Sequence, residues 1–218
     1  MQPAFFVMKM PETVIVDLHH EVLPFWEKCR DRLGRLPQVL SLDFHTDVLN
    51  AQRRGIECGG DVCEAVKLLH HDEHFDWALR SGVICRAVIL ALSPCAVLPE
   101  HPALEVRRSE LLPDMDVMLN RPEKFRSAAE MVLDDRCLSP LLRDGCPQEP
   151  YILDIDCDYI MCGKALEPEY GGVFAGLAAN AELVTLSREN DWVRILKLPG
   201  EKISGSYIAE RVAARFNS

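Results

Sequence analysis

The stretch LSLDFHTDVL, residues 40–49, closes an apolar run with an aspartate, a histidine and an aspartate at alternate positions, Asp43, His45 and Asp47. Val39-Leu40-Ser41-Leu42 reads as a strand. Side chains alternate faces along a strand, so Asp43 and His45 point the same way and can grip one object. A strand that is apolar at nearly every position belongs to a sheet covered on both faces. Ligand sites of open parallel sheets form outside the carboxyl ends of the strands, so the residues to weigh are polar groups that end apolar strands.

Working outward, the same grammar recurs. Thr13 to Asp17 is a continuous β-branched run, and apolar residues at helical spacing follow from Glu21 to Leu33. Helical patterns cover Asp61 to Leu69 and Asp72 to Arg80, and Val83 to Leu90 is a further apolar strand. Residues 94–150 are punctuated by proline; within them Asp116 to Leu119 reads as a strand and Lys124 to Asp135 as a helix. Tyr151 to Ile155 and Leu183 to Leu186 are strands, and Gly171 to Ala181 and Ser206 to Phe216 are helices. Alternation of this kind predicts an α/β fold, a three-layer α/β/α arrangement around a mostly parallel sheet. All 218 residues are expected in a single domain, since 48% hydrophobic content can bury a sizeable core.

Three strand ends carry chemistry: Asp17-Leu-His19-His20-Glu21, Asp43-Phe-His45-Thr-Asp47, and Asp154-Ile-Asp156-Cys-Asp158. If these strands are neighbours, Asp43, Asp47, Asp154 and Asp156 converge. At about 4 Å each carboxylate pair would repel by roughly 4 kcal/mol at an effective dielectric of 20. Two divalent cations balance four such charges, and carboxylates with one or two imidazoles suit manganese or another borderline metal.

Composition narrows the function. A formal net charge of −10 and no basic stripe argue against nucleic-acid binding. No apolar run reaches the roughly 20 residues that span a bilayer, and the N-terminus lacks signal-peptide features, so no membrane partner is expected and the compartment expected is the cytoplasm. Nine cysteines in a chain of this size are expected as free thiols. Cys58 to Cys63 and Cys157 to Cys162 are spaced too widely for a zinc knuckle. Trp26, Trp77 and Trp192 are expected as packing residues. No glycine-rich phosphate loop is present.

DFHTD resembles the DAHxD motif of arginases and agmatinases, and LDIDCD is similar to their SxDxD motif, in the same order and after a histidine that follows an earlier strand. This is the ureohydrolase and deacetylase superfamily. HHEVLPFW, SLDFHTD and ILDID together, in a short chain, resemble more closely a divergent branch that includes peptide arginases, which convert peptidyl-arginine to peptidyl-ornithine plus urea. The resemblance implies two Mn2+ per chain, other divalent metals being alternatives. One would be held by His19, Asp43, Asp47 and Asp154, the other by Asp43, His45, Asp154 and Asp156, with water between them as nucleophile. His19 is favoured over His20 as ligand, leaving His20 near the substrate. In His70-His71-Asp72-Glu73-His74, His71 and His74 are the candidates for the proton donor to the leaving amine. Glu189, in LVTLSREN, occupies a place similar to the arginase glutamate that pairs with the guanidinium, a role that suits a carboxylate. The signatures by which ordinary arginases hold a free amino acid are absent, which favours an arginine-containing peptide or another guanidino compound as substrate. A deacetylase-type amidohydrolase of the same superfamily and a non-catalytic metal-binding protein are the rival readings. Homo-oligomerisation is left open.

Overall fold

The computed structural model describes residues 11–93, 97–108, 122–147, 150–167 and 172–216. Its strands are β1 (Glu12–Val16), β2 (Gln38–Asp43), β3 (Arg86–Ala91), β4 (Leu104–Arg108), β5 (Tyr151–Asp156) and β6 (Leu183–Ser187). All their pairings are parallel, in the order β1-β6-β5-β2-β3-β4. Every residue of β2, β5 and β6 is buried, the signature of strands covered on both faces.

Alternation sorts those residues onto two cores. Val39, Ile89, Ile152 and Leu183 face Trp26, Phe75 and Trp77, carried by α1 (Leu23–Leu33) and α3 (His74–Arg80), with α2 (Val62–Val66) beside them. Leu40, Leu42, Leu90, Leu153, Ile155 and Leu186 face the opposite layer. That layer holds α4 (Pro122–Ala129), α5 (Asp135–Leu138), α6 (Gly172–Asn180), α7 (Asn190–Leu196) and α8 (Gly205–Phe216). The helices before β3 thus cover one face and those after β4 the other, giving the three layers expected.

The connections place the crevice. From β2 the chain steps outward through β3 to the β4 edge, then returns to the other side of β2 and runs through β5 and β6 toward β1. The direction of winding reverses between β2 and β5, so the carboxyl ends of these two strands open a cleft between diverging loops.

Several boundaries differ from the periodicity. Glu21 does not begin α1; its carboxylate accepts the backbone N–H groups of Asp17 and Leu18 at 3.0 Å each, folding His19–Val22 into a 3₁₀ turn. Pro24 then occupies the first turn of α1, where a missing N–H is tolerated, and Gly34 at φ 64 ends it. Asp61 caps α2, which stops at Val66 rather than Leu69. Val83 and Ile84 are buried in the turn after Gly82 instead of in the β3 ladder. Asp134 caps α5 through the Arg136 N–H and so splits the helix expected over Lys124 to Asp135. β4 was not foreseen. The strand expected over Asp116 to Leu119 lies outside the described residues. At the start of α8, a Cβ on Gly205 would lie 1.8 Å from the Arg188 carbonyl oxygen, so only glycine lets this helix approach the loop after β6. Among the described residues no helix is long and apolar enough to cross a membrane, and the eight described cysteines are free.

Candidate metal centre

Leu42 pairs with Ile155 across β2 and β5, so Asp43 and Asp156, one residue further along each strand, end their strands side by side. Beyond Asp43 the chain turns back: Asp43 Oδ1 accepts the His45 backbone N–H at 2.7 Å. Asp156 does the same for Asp158, accepting its N–H at 3.0 Å and starting a 3₁₀ turn. The two Asx turns bring His45 Nδ1 within 2.8 Å of Asp158 Oδ2, and the other Asp158 oxygen accepts the Phe44 N–H at 3.1 Å. From the far side of β6, the turn after β1 delivers His19. Its Nδ1 lies 3.0 Å from Asp47, 3.2 Å from Asp156 and 3.7 Å from Asp43.

The register sets Asp154 apart from the ligand pair expected for it. Asp154 is level with Ser41 and Thr185, two residues below the strand ends, and its oxygens are taken by the protein. Thr185 donates to Oδ1 at 2.6 Å, Ser41 donates to Oδ2 at 2.8 Å, and His19 Nε2 donates to Oδ2 at 2.8 Å. Trp26 Nε1 completes the network by donating to Thr185 at 3.3 Å. A carboxylate that fixes the Nε2–H tautomer leaves Nδ1 of His19 to face the cluster, the arrangement in which an outer carboxylate orients a metal-binding imidazole. Asp158, which the sequence reading passed over, stands instead where Asp43 and His45 can share an ion with it.

Asp43 Oδ2 is buried and accepts no hydrogen bond, although acceptors cut off from water are costly, and Asp158 Oδ2 has only the His45 ring, at 2.8 Å, to answer its charge. Ligand atoms of His19, Asp43 and Asp156, and likewise of Asp43, His45 and Asp158, lie within 4.8 Å of one another. Those of His19, Asp47 and His74 do so too, and donor sets of carboxylates with one or two imidazoles fit borderline divalent cations.

The electrostatics state the same need. Burial pushes Asp43 well above its ordinary value, with Asp47 and Asp158 adding to it. Burial and Asp158 push Asp156 up to about 8. For His19, burial disfavours the imidazolium, but Asp154, Asp156 and Asp47 outweigh it and raise the value. His45 is raised likewise, the bond to Asp158 overcoming burial. A carboxyl whose folded pKa is raised withdraws stability as pH rises from its unfolded value to its folded one. An imidazole with a raised pKa contributes stability at low pH and loses it as pH passes its folded value. Both act in one direction. His20 and His74, lowered by burial, act in the opposite sense below their ordinary value of 6.5, so protein freed of metal by a chelator is expected to melt progressively lower between pH 6.5 and 8, a window inside the 3.8 to about 8 span of Asp156. The melting rise on adding Mn2+ is expected to grow over that window, because ligands must shed protons to bind. Thermal melts across pH, with chelator and with Mn2+, measure both trends. Glu105 and Glu201, lowered by hydrogen bonds from Arg107 and the Gly163 N–H, work in the opposite sense only near and below 4.5.

A pocket of about 290 Å3 opens over the cluster, its walls including His45, Asp47, His71, Asp156, Glu189 and Trp192. His71 and His74, indistinguishable in sequence, separate here. His71 is on the wall with both ring nitrogens free of protein partners. His74 lies beneath, fully buried, its Nδ1 donating to the His71 carbonyl at 2.7 Å and its ring centroid 4.3 Å from that of His19. His20 is buried beside them and does not line the pocket. Glu189 accepts the His19 backbone N–H at 2.9 Å, tying the loop after β6 to the turn after β1. Asp47 and Glu189 hold left-handed backbones, φ 45 and 37, a conformation costing roughly 1 kcal/mol or more that is concentrated at functional sites. Trp26 and Trp77 are core residues as expected, but Trp192 is a pocket wall. Its position three residues after Glu189 was the signal available in the sequence.

No protein-family model and no curated protein sequence matches the chain. Solved structures do. Proclavaminate amidino hydrolase from Streptomyces clavuligerus is similar over 95% of this chain and 62% of its own, at 14% identity and a TM-score of 0.52. A hypothetical agmatinase from Burkholderia thailandensis covers 93% of the chain at 16% identity and a TM-score of 0.49; arginase from Medicago truncatula covers 94% at 13% and 0.46. The chain spans less than two thirds of the length of each. Among the described residues, the parallel sheet with helices on both faces gives the chain an α/β fold similar to that of the Streptomyces clavuligerus amidino hydrolase.

Proposed function

We propose that the chain is a metal-dependent hydrolase of guanidino groups, acting on arginine within a peptide to give ornithine and urea. The observation that carries the reading is the convergence of Asp43, with its unpartnered Oδ2, Asp156 and Asp158 with His19 and His45 in a buried ring of carboxylates and imidazoles beneath an acidic pocket. The fold it shares with an enzyme named an amidino hydrolase supports the same chemistry. His19, Asp43, Asp47 and Asp156 would hold one Mn2+, and Asp43, His45, Asp156 and Asp158 the other. Bound there, the cations would make water acidic enough to serve as a nucleophile near neutral pH.

The remaining work falls to the chain's own groups. Glu189 is raised by burial, partly offset by the His19 N–H, and would accept in-plane bonds from the guanidinium, holding its carbon over the cluster. His71 would give a proton to the departing side-chain nitrogen as the C–N bond breaks, so that ornithine leaves as an ammonium and urea as a neutral molecule. His74 sets the His71 backbone rather than reaching the substrate. Among the described lining residues there is no lysine or arginine, so a free amino acid's carboxylate would find no cationic partner in the pocket, whereas a peptide has none to satisfy. The deacetylase reading needs tandem histidines as acid and base; both nitrogens of His19 are committed to Asp154 and the ligand carboxylates, which leaves it the His70-His71 pair, with His71 on the pocket wall.

The test is incubation with Mn2+ and arginine-containing peptides, followed by mass spectrometry. The expected result is a loss of CH2N2 per arginine with equimolar urea. Acetate release from acetyl-lysine peptides, or no turnover with any guanidino compound in protein that carries its metal, would overturn the proposal.

A further inference from the structure

The loop after β6 gives the pocket two unlike groups from one helix start: Glu189 stands immediately before α7, and Trp192 follows one turn later. Trp192 is partly exposed, its ring 4.7 Å from that of His45 and 6.0 Å from that of His71, at interplanar angles of 60° and 71°. One wall of the pocket is therefore aromatic. Around it stand Asp47, Asp72, Asp156 and Glu189, all acceptors. A guanidinium is flat and weakly hydrated, with donors only in its plane and two π faces; an ammonium is compact, strongly hydrated and tetrahedral. A slot with carboxylates at its edge and an indole on its face matches the first and leaves the second incompletely solvated.

We infer that Trp192 is the specificity-determining wall of this pocket, stacking on a planar guanidinium and so selecting arginine-type side chains over lysine-type ones. The inference rests on the guanidino-hydrolase reading for its substrate class, but binding tests it separately from turnover. Trp26 and Trp77 are fully buried, so a ligand entering the pocket reports chiefly through Trp192.

Metal-loaded protein titrated with N-acetylarginine amide is expected to show saturable fluorescence quenching, and with N-acetyllysine amide none at equal concentration. Trp192→Phe is expected to lose the quenching signal while keeping most of the binding, measured by calorimetry. Trp192→Ala is expected to weaken arginine-amide binding about tenfold, the order of a cation–π contact removed from bulk water, and to narrow the arginine-over-lysine preference. In turnover its defect is expected in KM, with Trp192→Phe restoring most of it. If Trp192→Ala binds both amides as the parent does, or the parent binds neither, the inference fails. A parent that binds and quenches with the arginine amide but does not hydrolyse it would refute the hydrolase reading and leave the slot standing.

Discussion

Asp43→Asn is expected to melt higher than the parent when both are stripped of metal, and to gain nothing from Mn2+ where the parent gains much. Asp43 is shared by two of the groups of ligand atoms and is fully buried, its charged form opposed first by burial and then by Asp47, Asp158 and Asp156. An amide keeps the oxygen that accepts the His45 N–H and removes one of the mutually repelling charges. The relief is on the order of 2 kcal/mol, or roughly 4–8 °C at this chain length. The parent, by contrast, should rise by about 4 kcal/mol for each site whose Kd free Mn2+ exceeds a thousandfold. Thermal melts with chelator and with Mn2+, joined to metal analysis of the dialysed proteins, read both halves. A variant that still binds two metals, or a parent indifferent to every divalent cation tried, would remove the basis of the site.

Much of the frame was readable in the chain because strands buried on both faces write their period and their burial into the same few residues. In Val39 to Leu42 the apolar run and the alternation of Asp43, His45 and Asp47 agree, so the strand and its polar end could be read together. What the chain does not write is phase between strands. Asp154, Asp156 and Asp158 repeat every second residue, and any adjacent pair satisfies a D-x-D pattern. Only the pairing of Leu42 with Ile155 decides which aspartates reach the rim. β4 escaped for a different reason. It is a short edge strand in which Glu105 and Arg107 form their own ion pair and stay partly polar, so it lacks the apolar run that marks an interior strand. His71 and His74 are likewise one turn apart in sequence, and only burial shows that one faces the pocket and the other supports it.

The phase of the three aspartates is open to a direct contrast. Asp158→Asn is expected to leave the fold intact and to abolish binding of one of two metals, since the amide oxygen can still accept the Phe44 N–H while the anionic Oδ2, 2.8 Å from His45 Nδ1, is lost as a ligand. Asp154→Asn is expected to behave in the opposite way. Asp154 accepts from Ser41, Thr185 and His19 at once, and an amide cannot accept from all three in the same geometry, so stability falls by about 3 kcal/mol, the scale for breaking a buried charged network. His19 then loses the group that fixes its tautomer, and metal affinity should drop 10- to 100-fold, as it does when an outer carboxylate behind a ligating imidazole is removed, while saturating Mn2+ still fills both sites. Calorimetric titration separates the two: a stoichiometry halved at Asp158, against a Kd weakened at unchanged stoichiometry at Asp154. If the pattern is reversed, the metals sit one step deeper along β5 than the register of the sheet implies, and the ligand set implied by the resemblance to arginases is the right one.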